Sequence, residues 1–216
     1  MQGGQLNPFM AGKKSMCKIG AVILAAGKST RMGKPKLLLP YKGKPLFMHP
    51  LQLALQHQLH PIVCITGCYH EQMRHLLSPL EKDVAVVFNS SFESGMASSL
   101  KIGIQSMPKQ VDAALIFLGD QPLIPEKVVQ RIMKEFKKSK REGIKIIRPL
   151  FGKRLGHPIL FEKSLFREFE GLEGDEGGKS IINRHKEALK LLHFEREEWG
   201  IDIDTEEEYR ILIEKD

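Results

Sequence analysis

Cysteine is scarce in this chain: Cys17, Cys64 and Cys68 are the three among 216 residues. The number is odd and no CxxC pair occurs, which argues against a disulfide framework and a cysteine-built zinc site. Cys64 reads as buried in a strand and Cys68 as lying just after it, neither as a nucleophile. Aromatic residues make up 7%, too few for the stacking platforms that single-stranded nucleic acid needs. The longest apolar stretch, Ile19 to Ala26, is far too short to cross a bilayer. No basic segment leading into an apolar one opens the sequence, so no secretory signal is expected. Together these absences predict a cytoplasmic protein with neither a membrane nor nucleic acid as partner.

What is present is an excess of positive charge. Lys and Arg number 33 against 26 Asp and Glu, a net charge of +7. Such a surplus favours anionic partners, and polyphosphate small molecules fit once nucleic acid is set aside. Lys134 to Arg141 reads as a solvated helix end. Residues 1–16 lack hydrophobic periodicity and read as a flexible tail; residues 17–216 read as a single domain. Strand-like runs at Ile19 to Leu24, Pro61 to Thr66, Val84 to Phe88 and Ala113 to Leu118 alternate with helix-like ones. The latter are Pro45 to Gln56, His70 to Leu77, Met96 to Met107 and Pro125 to Lys138. In the last of these, Val128, Ile132, Met133 and Phe136 share one face. Pro50 predicts that the first helix starts late or bends. Ile144 to Ile147, Pro158 to Phe161 and Leu189 to Phe194 read as further strands, and Ser180 to Lys186 and Glu206 to Glu214 as helices. Continuous apolar strands separated by helices predict a three-layer α/β/α fold with a mostly parallel sheet. Ligands of such sheets bind beyond the carboxyl ends of the strands.

One of those ends carries the strongest chemical signal, the loop Leu24-Ala25-Ala26-Gly27-Lys28-Ser29-Thr30-Arg31-Met32-Gly33-Lys34-Pro35-Lys36. Its small residues let backbone amides approach phosphate oxygens. Arg31, Lys34 and Lys36 supply charge to a triphosphate, and arginine can do so with two parallel bonds. The loop is neither Gly-x-x-x-x-Gly-Lys-Ser/Thr nor Gly-x-Gly-x-x-Gly. It resembles instead the nucleotidyltransferase signature Leu-Ala-Ala/Gly-Gly-x-x-x-Arg-Met-Gly-x-x-Lys. The continuation Pro35-Lys36-Leu37-Leu38-Leu39-Pro40 resembles the molybdenum cofactor cytidylyltransferases and their close relatives. The resemblance runs from Lys18 to Ile213.

That resemblance implies a Rossmann-like nucleotidyltransferase fold, a Mg²⁺ cofactor and a nucleoside triphosphate substrate. Leu24, Ala25, Ala26, Gly27, Lys28, Ser29, Arg31 and Lys36 are the expected nucleotide-binding residues of the first loop. Asn89 and the segment Gly95-Met96-Ala97-Ser98-Ser99-Leu100 match a second element, so Asn89, Gly95 and Ser99 join them. Gly119-Asp120-Gln121-Pro122 follows a strand and matches the family's metal-binding Gly-Asp-x-Pro. A carboxylate beside a polyphosphate loop is a usual way to hold Mg²⁺. In Ile201-Asp202-Ile203-Asp204-Thr205 the two aspartates share a face of an extended segment, and the resemblance implies that Asp204 completes the metal site. Asp204 also suits a helix cap, and both readings stand. Without metal, the two like charges of Asp120 and Asp204 are expected to repel, leaving the site splayed or hydrated.

Arg31, Lys36 and Asp120 are the expected catalytic residues. Gly156-His157-Pro158 and Gly174-Asp175-Glu176-Gly177 match elements on the family's acceptor side, which makes His157 and Asp175 the expected acceptor contacts. The acceptor implied is of molybdopterin type, and a molybdenum hydroxylase or its maturation factor would be the downstream partner. Ala26 adds a Cβ under the base pocket where GTP-using relatives read Gly, which favours CTP over GTP. A sugar- or alditol-phosphate acceptor, a molybdenum-cofactor chaperone without turnover and a dinucleotide oxidoreductase are the alternatives.

Overall fold

A computed structural model describes residues 17–214; the tail expected over residues 1–16 lies outside the described residues. The strands are β1 (Ile19–Ala25), β2 (Pro40–Tyr41), β3 (Lys44–Pro45), β4 (Ile62–Thr66), β5 (Val84–Phe88), β6 (Ala113–Leu118), β7 (Ile146–Phe151), β8 (Arg154–Leu155), β9 (Ile159–Glu162) and β10 (Leu189–Phe194). The α-helices are α1 (Met48–Gln56), α2 (His70–Leu77), α3 (Met96–Gln105), α4 (Glu126–Ser139), α5 (Lys179–Arg184) and α6 (Glu206–Glu214). The main sheet runs β10-β7-β9-β6-β1-β4-β5, with β8 on β7, and β2 and β3 form a separate hairpin. β6, β1, β4 and β5 are parallel, as are β7 and β10. β9 runs antiparallel to both its neighbours.

The central pair β1 and β6 carries no polar side chain because both faces of the sheet are covered. On β1, Ala21, Ile23 and Ala25 face a core shared with Leu51 of α1 and Val128, Ile132 and Phe136 of α4. Val22 and Leu24 face the opposite core, shared with Leu100 and Ile104 of α3 and Ile181 of α5. The architecture is thus the three-layer one, with a mostly parallel sheet. On α4, Val129 is buried where the sequence pattern favoured Met133.

Two local features have simple causes. Pro45 sits in the β2–β3 hairpin and α1 starts late, at Met48, which places Pro50 in the first turn. An amide there has no intrahelical acceptor, so its absence costs little. Lys163–Gly171 forms a 3-10 helix that buries Leu165 and Phe169, an element the α-helical period does not reveal. Among the described residues, no helix is long and apolar enough to cross a membrane.

The strand order reverses at β1. From it the chain moves outward to β4 and β5 on one side, then returns to β6 on the other. The carboxyl ends of β1 and β6 therefore flank a topological switch point, where open α/β sheets bind ligands. The loop after Ala25 and the turn after Leu118 meet there.

Candidate active site

The loop after β1 is pinned at few points. Met32 is buried and donates its amide to the Ser29 carbonyl at 3.1 Å. The Ser29 hydroxyl accepts from the Lys36 amide at 3.2 Å, and Ser29 itself has a positive φ of 58°. Lys36 opens a one-turn 3-10 helix whose Leu37 is buried. Between these anchors Gly27, Lys28, Thr30 and Arg31 are exposed. A Cβ added at Gly27 would meet nothing within 4 Å, so the backbone borders open space.

Lys36 leaves the loop and reaches between two carboxylates. Its Nζ lies 2.6 Å from Asp120 Oδ2 and 2.6 Å from Asp204 Oδ1. Arg31 Nη2 lies 2.8 Å from the other oxygen of Asp204. The Lys36 side chain is 11% exposed, Asp120 20% and Asp204 25%. Burial alone would lower the Lys36 pKa, yet Asp120 and Asp204 hold it above the ordinary lysine value. Burial would raise Asp204, yet Lys36 and Arg31 hold it below the usual carboxylate range. Asp120 and Asp204 thus converge around an internal ammonium, instead of splaying apart as two bare like charges would.

The segment carrying Asp204 is fixed to this spot by backbone and core. The Ile203 amide donates to the Asp120 carbonyl at 3.0 Å, and Ile203 is buried among Tyr41, Leu46 and Leu212. The cap of α6 belongs to Thr205, whose hydroxyl accepts from the Glu208 amide at 3.2 Å. The Glu208 carboxylate in turn accepts the amides of Asp204 and Thr205. This reciprocal capping box leaves the Asp204 side chain to Lys36 and Arg31. Asp202 accepts from Gln121 Nε2 at 2.7 Å; burial and the nearby Asp120 charge raise its pKa.

A cavity of about 470 Å³ opens beside this cluster, lined by Leu24, Ala26, Gly27, Lys28, Lys36, Gly95, Ser99 and Asp120, with Asp175 at its edge. Thr30, Phe92 and Met96 also line it, and the sequence motifs do not single them out as site contacts. Ala25 is buried within β1. Asn89 is fully buried and does not line the cavity. Its amide nitrogen donates to the hydroxyls of Ser98 and Ser99, and its oxygen accepts the Ser91 amide. Asn89 therefore shapes the wall from behind. Gly95 has a φ of 104°, and a Cβ there would sit 2.4 Å from the Gly174 carbonyl. The Met96 and Ala97 amides at the start of α3 are taken by Asp175 and the Gly174 carbonyl.

A second cavity, of about 400 Å³, shares Leu24, Met96 and Asp175 with the first and is also lined by His157 and Arg148. His157 and Asp175 are thus brought to one space. Burial, followed by the Arg148 charge, lowers the His157 pKa to about 3. The imidazole is neutral at physiological pH. The folded protein then resists a proton that the unfolded chain accepts below the ordinary value of 6.5, so this site withdraws stability as pH falls from there towards about 3. His157→Gln is expected to flatten the denaturation midpoint across that window, and a profile as steep as wild type would contradict the assignment. Cys64, pushed up to about 12 by burial, is no nucleophile.

The sheet order gives the chain the Rossmann-like nucleotide-diphospho-sugar transferase fold. It belongs to the family of MobA-like NTP transferase domains, whose model matches residues 21–189. The chain is 28% identical over 202 residues to the nicotine blue oxidoreductase of Paenarthrobacter nicotinovorans, covering 90% of this chain and 96% of that one. It is 25% identical over 198 residues to the molybdenum cofactor cytidylyltransferase of Escherichia coli K12, covering 90% and 95%. A stretch of 125 residues is 32% identical to the bifunctional protein GlmU of Syntrophotalea carbinolica, spanning 57% of this chain but 26% of that protein. The crystal structure of Rv0371c from Mycobacterium tuberculosis H37Rv superposes with a TM-score of 0.76 at 26% identity, covering 92% and 98%. Its complex with manganese superposes with a TM-score of 0.72 at 24% identity, covering 92% and 100%.

Proposed function

We propose that this protein transfers CMP from CTP to a phosphate of a molybdopterin-type acceptor, with release of pyrophosphate and with Mg²⁺ as cofactor. The observation that carries the reading is the Lys36 ammonium held between Asp120 and Asp204 at 2.6 Å from each, beside a cavity of nucleotide size at the switch point. Two hard oxygen donors converge on one cation-sized point, a donor set that suits Mg²⁺. Among the described residues, no group of three His, Cys, Asp or Glu side chains surrounds a metal-sized space. The remaining coordination would come from triphosphate oxygens and water, which matches the habit of Mg²⁺. When bound, the ion would neutralise phosphate charge between Asp120 and Asp204.

The chain's own groups account for the rest. The open backbone at Gly27 admits the triphosphate, and Lys28 lies at the cavity rim, paired at 2.5 Å with Glu93. An acceptor phosphate oxygen forms the new bond to the α-phosphorus, the α–β bridging bond breaks, and pyrophosphate leaves with that electron pair. Lys36, released from its two carboxylates, meets charge developing on the transferred group, and Arg31 meets the departing pyrophosphate. The nucleophile is already ionised, so positioning outweighs base catalysis. This agrees with the neutral His157 standing outside the nucleotide cavity.

The choice of base rests on Ala26, which lines the nucleotide cavity. With Mg²⁺ present, CTP is expected to stabilise the protein more than GTP does. At a hundredfold excess over its dissociation constant the gain is about 2.7 kcal/mol. A melting series in which GTP raises the transition and CTP does not would reverse the assignment. Ala26→Gly separates preference from cause: an unchanged preference would remove the Cβ from the explanation.

A further inference from the structure

The middle of β7 carries a cation where the fold calls for an apolar side chain. Side chains alternate along a strand, so Arg148 points to the same face as Ile146, into the core covered by α3 and α5. An arginine on such a face is rare unless it is paired. Here its Nε donates to the Gly156 carbonyl at 3.1 Å. Among the described residues, the two terminal nitrogens have no carboxylate and no other acceptor. Burial lowers the pKa of the guanidinium, and no acidic neighbour offsets that cost. The carboxylates on the same cavity are engaged elsewhere: Asp175 accepts the Met96 amide and Glu176 the Glu173 amide.

The cavity that Arg148 enters is walled mainly by apolar groups, among them Leu100, Ile116, Ile159 and Phe161. Lys36 and Asp120 do not line it; they line the neighbouring cavity, which shares Leu24, Met96 and Asp175 with it. A molecule spanning the two would present one end to Lys36 and Asp120 and the other to Arg148. We propose that Arg148 is a specificity-determining residue that holds a second oxyanion of the acceptor, remote from the oxygen that attacks the nucleotide. The acceptor is then one that carries a second anionic group besides the attacking phosphate, and a simple monophosphate of a sugar or alditol is a poor one. The neutral imidazole of His157 beside Arg148 offers a hydrogen bond without competing for the anion. The planar guanidinium suits an oxyanion bidentately. The proposal rests on the nucleotidyl-transfer reading of the first cavity.

The test uses a small probe with CTP and Mg²⁺ present, so that the nucleotide cavity is filled. Phenyl phosphate, with neutral benzyl alcohol as control, is titrated into the full chain and followed by ligand-observed NMR. Phenyl phosphate is expected to bind wild type with CTP in place, and Arg148→Gln to weaken it at least about tenfold. CTP affinity in Arg148→Gln should stay within about twofold. Arg148→Lys keeps charge without the fork and should lie between, which guards against a folding defect in the Gln variant. Equal phenyl phosphate affinity in all three proteins, displacement of the probe by CTP, or equally tight binding of benzyl alcohol would overturn the proposal. Failure of CTP to bind wild type would overturn the nucleotide reading instead. The probe is then titrated alone, and the comparison of wild type with Arg148→Gln still decides the role of Arg148.

Discussion

Lys36→Ala is expected to lower turnover by about a hundredfold or more at saturating nucleotide, the scale of losing one transition-state donor, while the fold persists. The same change should have an opposite effect on metal. In the structure the Lys36 ammonium occupies the point on which Asp120 and Asp204 converge. A divalent ion must displace it to enter. Removing it leaves two carboxylates without their main counter-charge, so the variant should bind Mn²⁺ or Mg²⁺ more tightly than wild type. Calorimetric titration without nucleotide and initial rates with it measure the two effects. Wild-type rates would reduce Lys36 to a structural ion-pair partner, and weaker metal binding in the variant would refute the displacement. The pairing spans the neutral range. The raised Lys36 pKa keeps its contribution below the ordinary 10.5, to be lost only as pH rises through the folded value. The lowered Asp204 pKa keeps its contribution above 3.8, to be lost as pH falls through the folded value.

Asp120→Asn is expected to weaken metal use and turnover together, each by about a hundredfold or more. Changes to groups that merely support metal ligands already cost 10–100-fold in roughly comparable sites, and a neutral amide is a poorer donor to a hard cation. Asp204→Asn should do the same to rate while leaving α6 capped, because Thr205 and Glu208, not Asp204, cap that helix; the stability it loses is that of its charge pairing with Lys36 and Arg31. Thr205→Ala gives the complementary pattern: a loss of about 1 kcal/mol in stability with the metal dependence of the rate unchanged. An Asp204→Asn enzyme of full activity would remove Asp204 from the catalytic group.

Much of this was legible in the sequence because it depends on local pattern. The unbroken apolar run of β1 signals a strand buried on both faces, and the small, cationic residues that follow mark its ligand end. The Gly-Asp after β6 is legible for the same reason. The long-range arrangement is not: Lys36 and Asp120 are 84 positions apart, and Lys36 and Asp204 are 168. Only resemblance joined them, and nothing in their spacing says that a lysine fills the gap between the acids. Asn89 is expected as a nucleotide contact through the resemblance alone, and the structure buries it behind the cavity wall. Its burial follows from the Ser98 and Ser99 hydroxyls, which lie on α3 and approach only in the folded chain. Arg148 is not legible as a site residue because its charge ends the apolar run at Ile147, although β7 continues to Phe151.

Nucleotidyl transfer and the oxidoreduction named for one relative leave different products. The most direct measurement is therefore pyrophosphate release by the purified chain supplied with Mg²⁺, CTP and molybdopterin or its molybdenum form. One pyrophosphate per CMP-modified acceptor is expected, released faster with CTP than with GTP, and both products should be lost in Lys36→Ala and Asp120→Asn. Absence of pyrophosphate with every nucleoside triphosphate, accompanied by acceptor-dependent oxidation of a nicotinamide cofactor, would contradict nucleotidyl transfer.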